Sequence, residues 1–370
     1  MVDAAARLYE LPLDEFVGER DALARELRKG GDREAADEVK ALPKPTPVAW
    51  TINRLSREDP DLVRELLDAG ETLRAAQEAA LGGGGAAELR DAAAAEREAV
   101  DALVDAAAGH DAVFLFASNP DIARAVTDPA IDFWEGTYLV QNTVEACRRS
   151  AVRTLVYASG SGIYGDQGAR ELDEAFGPLL PVSTYGAGKL AGEALVSAYC
   201  HLFGLRGVAF RFANVVGPRQ THGVVYDFVR KLLADPTRLE VLGDGRQSKS
   251  YIHVDDVLDA VLMLAGDPPE PFDVFNAATE DYVTVREIAG LVVDAMGLDD
   301  VAVQFGDTAG GWKGDVPVVR LSTAKLRARG WTNRHSSREA LAASVRALLE
   351  EAKQEATVTS GRSERGAGPS

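Results

Sequence analysis

Tyr185 and Lys189 stand four residues apart in the run Tyr-Gly-Ala-Gly-Lys, where the pattern reads as the opening of a helix. Residues i and i+4 share one helix face, so the phenol and the ammonium would reach the same ligand. A free tyrosine, with a pKa of about 10, is a poor base at neutral pH. A nearby lysine cation favours the phenolate and lowers that value. Such a phenolate can take a hydroxyl proton while hydride leaves the same carbon. Taken alone, Y-x-x-x-K recurs by chance, and an ordinary helix face is the simpler reading.

The elements around the pair are those that would position it. The runs 112–116 (AVFLF) and 154–158 (TLVYA) are short and apolar, as expected for parallel strands buried on both faces. Further strands are expected at 207–212 and 239–242. Amphipathic helices are expected at 138–150, 185–203, 224–233 and 254–265. This βαβ rhythm predicts a mostly parallel sheet with helices on both faces. Residues 1–108 differ. They are rich in Ala, Glu, Leu and Arg and predict helices at 13–28, 33–42, 48–55, 61–80 and 86–107, with Gly and Pro breakers between them. The division expected is 1–108 helical, 109–350 α/β, and 351–370 a polar, disordered tail.

Further motifs accompany the pair in order. Upstream stands TLVYASGSGIYGD, from Thr154 to Asp166; downstream stand RFANVVGPR, LEVLGDGRQSKSYIHVDD and GGWKGDVP. Their order and spacing over about 240 residues resemble the extended short-chain dehydrogenase/reductases of the NAD-dependent epimerase/dehydratase family. These proteins epimerise or dehydrate nucleotide sugars, UDP-glucose 4-epimerase-like enzymes among them. The resemblance implies an incomplete Rossmann-like α/β sheet with a small C-terminal substrate lobe, NAD as cofactor, and a nucleotide-diphosphate sugar as substrate. It implies Tyr185 as base at the sugar C4 and Lys189 as its partner on the nicotinamide ribose. Phe116, Ala117 and Ser118 match the loop that passes the dinucleotide. Asn214, Lys249, Tyr251 and Asp315 match substrate-side positions. A homodimer through the helices at 138–150 and 185–203 is also implied.

The sequence departs from that pattern in several places. The family opens with a strand and a G-x-x-G-x-x-G loop, whose glycines let a helix N-terminus meet the cofactor pyrophosphate. Ahead of His110 no such loop follows a strand; the glycine run 82–85 follows a helical stretch and reads as a linker. With the first strands gone, the strand at 112–116 is expected to lie at an exposed edge. The family's catalytic Ser or Thr falls on Gly160; Ser159 and Ser161 flank it, and Ser161 is the expected substitute. The acidic pair that dehydratases need falls on Ser161 and Gly162, which favours epimerisation. A family Asn falls near Gly136, an Arg near Trp312, and Lys249 stands where most members carry Arg, so the bidentate fork is lost. The alternative is a catalytically impaired truncated member serving as a binding or assembly module.

The net charge of −18 over 370 residues argues against nucleic acid and against an anionic membrane surface. No segment reads as a signal peptide or a membrane span, so a cytoplasmic protein is expected. Cys147 and Cys200 read as small apolar residues, and the five scattered histidines give no metal-ligand spacing.

Overall fold

The computed structural model describes residues 15–30, 33–41, seven helical positions between 68 and 79, 86–107, 110–119, 122–150, 152–269 and 271–365. The chain divides into two units, Met1–Leu103 and Val104–Ser370. In the first, α1 (Phe16–Lys29) and α2 (Arg33–Ala41) bury Phe16, Ala24 and Val39 together, with Leu23 and Leu27 packed against them. Helix α3 (Ala86–Ala107) follows. The expected helix at 48–55 lies outside the described residues, as does most of 61–80.

The second unit begins with β1 (Ala112–Leu115), α4 (Leu139–Ser150), β2 (Thr154–Gly160), the short β3 (Glu171–Leu172), α5 (Thr184–Phe203), β4 (Arg206–Phe212) and β5 (Asn214–Val216). It continues through α6 (Val224–Ala234), β6 (Arg238–Val241), β7 (Ser248–Lys249), β8 (Tyr251–His253), α7 (Val254–Gly266) and β9 (Phe272–Ala277). The remaining elements are β10 (Val283–Thr284), α8 (Val285–Ala295), β11 (Ala302–Phe305), β12 (Arg320–Leu321), α9 (Ala324–Ala328) and α10 (Ser337–Arg365).

The central sheet has four parallel strands in the order β1-β2-β4-β9. Every residue of β2 is buried, which is why its sequence is a continuous small-and-apolar run rather than an alternating one. Neighbouring residues of β2 point to opposite faces. Tyr157 faces α5, where its hydroxyl meets the Lys189 carbonyl at 3.4 Å. Val156 and its cross-strand partner Val208 face α7, packing with Phe210, Val257, Val261 and Leu264. Helices therefore cover both faces, and the fold is an incomplete Rossmann-like sheet. Strand β1 is half-exposed over its first three residues and, among the described residues, has no partner on its outer side.

The smaller C-terminal lobe pairs β6 with β11 and encloses its own core of Val225, Phe228, Leu239, Ile288 and Val292. The strand expected at 239–242 is thus real but belongs to this lobe. Residues 351–365 continue α10 instead of forming the expected tail. Their opening Glu-Ala-Lys-Gln-Glu-Ala stretch is helix-forming, and two of the three glycines that suggested disorder, Gly366 and Gly368, come later.

Candidate active site

Ser183 opens α5. Its backbone is extended (φ −133°, ψ 153°) and its hydroxyl accepts a hydrogen bond from the Gly186 amide, satisfying one of the amides a helix start leaves free. Lys189, one turn on from Tyr185, is buried and donates from Nζ to the Ala158 carbonyl of β2 at 2.7 Å. That ammonium lies 5.5 Å from the ring centres of both Tyr185 and Tyr157.

The glycines of this helix serve proximity. A Cβ on Gly186 would stand 2.6 Å from the Gly162 carbonyl oxygen, one on Gly188 2.8 Å from that of Asp132, and one on Gly192 2.3 Å from the Tyr157 hydroxyl. Gly162, Gly165 and Gly168 have the G-x-x-G-x-x-G spacing, but β2 runs there into a 3-10 turn, Ser161–Tyr164, and not into an α-helix. A Cβ on Gly165 would stand 2.1 Å from the Leu180 carbonyl oxygen, so this triplet is packed against protein.

Gly160 faces the phenol. Its backbone is extended (φ −163°, ψ 163°), and a Cβ there would lie 3.7 Å from the Tyr185 hydroxyl. A serine or threonine at 160 would carry its hydroxyl towards the phenol; glycine carries none. Ser161 is half-buried in the following turn and makes no side-chain hydrogen bond among the described residues. The Ser159 hydroxyl is buried and also without a partner there.

A residue the sequence reading missed sits beside the pair. Asp132 is buried just ahead of a π-helical turn, Phe133–Tyr138. Its carboxylate accepts from Asn119 Nδ2 at 2.8 Å and from Thr184 Oγ1 at 2.7 Å. Ser118, Asn119, Asp132, Gly136, Tyr185, Gly188 and Lys189 line one small cavity. Ser118 thus meets the pair, whereas Phe116 and Ala117 are exposed.

Ionisation here runs opposite to the expectation. Burial pushes the Tyr185 phenol up to about 12, and the Asp132 charge pushes the same way. Burial pulls Lys189 down to about 8, with Asp132 resisting. The expected lowering fails because loss of hydration penalises the phenolate and a carboxylate adds to that penalty.

Deeper in the unit, Arg211 and Glu193 form a buried bidentate pair at 3.0 and 2.8 Å. Arg211 also donates to the Tyr164 hydroxyl at 2.9 Å, and Tyr164 donates to Asn276 Oδ1 at 2.8 Å. This network fastens α5 to β4 and β9, and with them the position of Tyr185.

On the far side of the site, Lys249 Nζ meets Asp315 Oδ1 at 2.8 Å and lies 5.7 Å from the Trp312 ring centre. Asp315 also accepts from the Gly311 amide at 2.9 Å. Tyr251 is a core residue of the lobe; burial raises its phenol, and Asp315 raises it further. Asn214 is its cross-strand partner. A Cβ on Gly314, next to Asp315, would lie 3.4 Å from the Val182 carbonyl oxygen and 3.7 Å from the Ser183 Cβ. The lobe therefore meets the chain just ahead of Tyr185.

The family model for the NAD dependent epimerase/dehydratase family matches residues 54–278. A UDP-glucose 4-epimerase of Mycolicibacterium smegmatis is 33% identical over 241 residues, 64% of this chain and 75% of that protein. A crystal structure of a UDP-galactose 4-epimerase is similar at TM-score 0.60 and 37% identity, covering 67% of this chain and 81% of the other. The UDP-glucose 4-epimerase of Thermus thermophilus, solved in complex with NAD, is similar at TM-score 0.61 and 30% identity, covering 68% and 81%. On the ordered motifs, the parallel sheet and these likenesses, the chain belongs to the NAD dependent epimerase/dehydratase family.

Proposed function

We propose that this chain is a nucleotide-sugar epimerase of the UDP-glucose 4-epimerase kind, acting at the sugar C4 with Tyr185 as the proton acceptor. The observation that carries the reading is the meeting of Ser118, Tyr185 and Lys189 around one cavity. The donor set lining this end of the site, a serine hydroxyl, a phenol and an ammonium, is of the kind a nicotinamide ribose calls for. Ahead of β1 the sequence holds no G-x-x-G-x-x-G run for the pyrophosphate, so the fit is to one end of the cofactor. NAD, when bound, supplies a hydride acceptor and then a hydride donor.

The chain's own residues would do the rest. Tyr185 takes the C4 hydroxyl proton and later returns it. Lys189 holds a positive charge beside the phenol. Lys249 and Asn214 lie on the side where a diphosphate is expected, with Asp315 holding Lys249. Ser161 and Gly162 stand where elimination chemistry would need carboxyls, which supports an isomerase over a lyase. A dimer in this reading uses α4 and α5; Leu202 and Phe203 at the end of α5 are 73% and 50% exposed.

A second reading, a binding module that has lost turnover, is favoured by Gly160, which leaves the phenol without a hydroxyl neighbour at that position. Titration of the purified full chain with NAD, followed by turnover of UDP-galactose, separates the two. Binding with turnover supports the enzyme. UDP-sugar binding without NAD binding at millimolar concentration supports the module.

A further inference from the structure

Asp132 has no part in the function above, yet it lies in the same cavity as Tyr185 and Lys189. It is 3% exposed. Its two hydrogen bonds come from neutral groups, the Asn119 amide and the Thr184 hydroxyl. These fix the carboxylate in place but leave its charge uncompensated. A buried charge is costly unless an opposite charge is near. The cation in the cavity is Lys189, whose own hydrogen bond goes to the Ala158 carbonyl rather than to a carboxylate.

The groups facing this carboxylate are few. Helix α5 presents Lys189 and Tyr185. Tyr157 of β2 stands against Lys189 instead, its ring 5.5 Å from the ammonium, and does not line the cavity with Asp132. Glu193, one turn further along α5, is paired with Arg211 at 2.8 Å. Among the described residues, Asp132 is therefore the carboxylate lining the cavity of the pair. Thr184 precedes Tyr185 directly, so its bond to Asp132 also pins the first turn of the helix.

We propose that Asp132 is a positioning residue for the reactive pair: its buried carboxylate keeps Lys189 an ammonium and opposes a phenolate at Tyr185, so that the resting site holds a phenol beside a lysine cation. The inference rests on Tyr185 and Lys189 being the reactive pair, and on no particular sugar. A step that begins with proton acceptance by Tyr185 is then favoured by rising pH, and loss of the Asp132 charge moves that dependence to lower pH.

The test is a tyrosinate absorbance titration of the full chain, with the Tyr185 transition isolated by subtracting the Tyr185→Phe curve. Asp132→Asn is expected to move the transition down on the order of one pH unit, and Asp132→Glu to restore most of it. Thr184→Val removes a hydrogen bond but keeps the charge, so its transition stays near that of the wild type. An unmoved transition in Asp132→Asn, or an equal downward shift in Thr184→Val, overturns the proposal. Should Asp132→Asn fail to fold because Lys189 is left unpaired, the comparison is made in the Lys189→Met background. There Asp132→Asn must again lower the transition, and no change there overturns the proposal equally. The titration needs neither NAD nor sugar, so it reads out even if the epimerase reading fails.

Discussion

Lys189, beside the end of β2, and Lys249, in the C-terminal lobe, each sit near a buried carboxylate. The two arrangements differ in where the hydrogen bonds go. Lys249 bonds its carboxylate directly, at 2.8 Å, with Asp315 almost wholly buried. Lys189 bonds a backbone carbonyl, while Asp132 is held by Asn119 and Thr184. A direct pair neutralises both members towards a third group. A separated pair leaves the ammonium's field acting on its other neighbour, here the Tyr185 ring at 5.5 Å. The first geometry suits holding a loop in place; the second suits tuning a proton.

That contrast can be broken at four points. The largest effect is expected from Tyr185→Phe, which removes the proton acceptor and should lower kcat for epimerisation by about 10²–10⁴-fold with little change in UDP-sugar affinity. A coupled assay with a binding titration reads both.

Lys189→Met tests the separated pair through stability. Lys189 titrates near 8 in the folded chain against 10.5 ordinarily. Between those values the unfolded chain binds the extra proton, so the Lys189 contribution to stability rises with pH across that window, by up to about 3 kcal/mol. Below the window the cost of the buried ammonium is constant. The methionine variant should lack this contribution, so the stability difference between wild type and variant in urea melts should grow in favour of the wild type from the lower to the upper end of the window.

Asp315→Asn tests the direct pair. With Lys249 released, UDP should bind up to about tenfold tighter, roughly 1.4 kcal/mol by calorimetry. Weaker binding would show that Asp315 itself meets the ligand. The smallest effect is expected from Gly160→Ser. Extended backbone and a 3.7 Å neighbour leave room for it, so the thermal midpoint should hardly move. A new hydrogen bond to the phenolate would raise turnover within about tenfold.

Much of the scaffold was readable from sequence because its signals are local. The buried run of β2, the Tyr-Gly-Ala-Gly-Lys opening of α5, and the apolar spacing of α7 each lie within a dozen residues. β9 was missed: Phe272–Ala277 is only half-buried at its start, and Asp273 breaks its apolar run. Asp132 was missed for another reason. Nothing in the stretch Asp-Pro-Ala-Ile-Asp-Phe marks one of its acids as buried, and its partners lie 13 and 52 residues away. Which of Ser159 and Ser161, the serines flanking Gly160, turns towards the phenol depends on the pleat at the end of the strand, which the sequence states only once the register is known. The direction of the Tyr185 shift was missed because spacing reports who is adjacent and is silent on water.

Gly186, Gly188 and Gly192 set α5 against three different neighbours, the Gly162 carbonyl, the Asp132 carbonyl and the Tyr157 phenol, at distances no methyl group would allow. This makes the helix a gauge. Adding one carbon at any of the three lifts the whole element by a fraction of an ångström and carries Tyr185 and Lys189 with it. An alanine at each of the three positions in turn would measure how much displacement the chemistry tolerates from each side, without touching a single reactive atom.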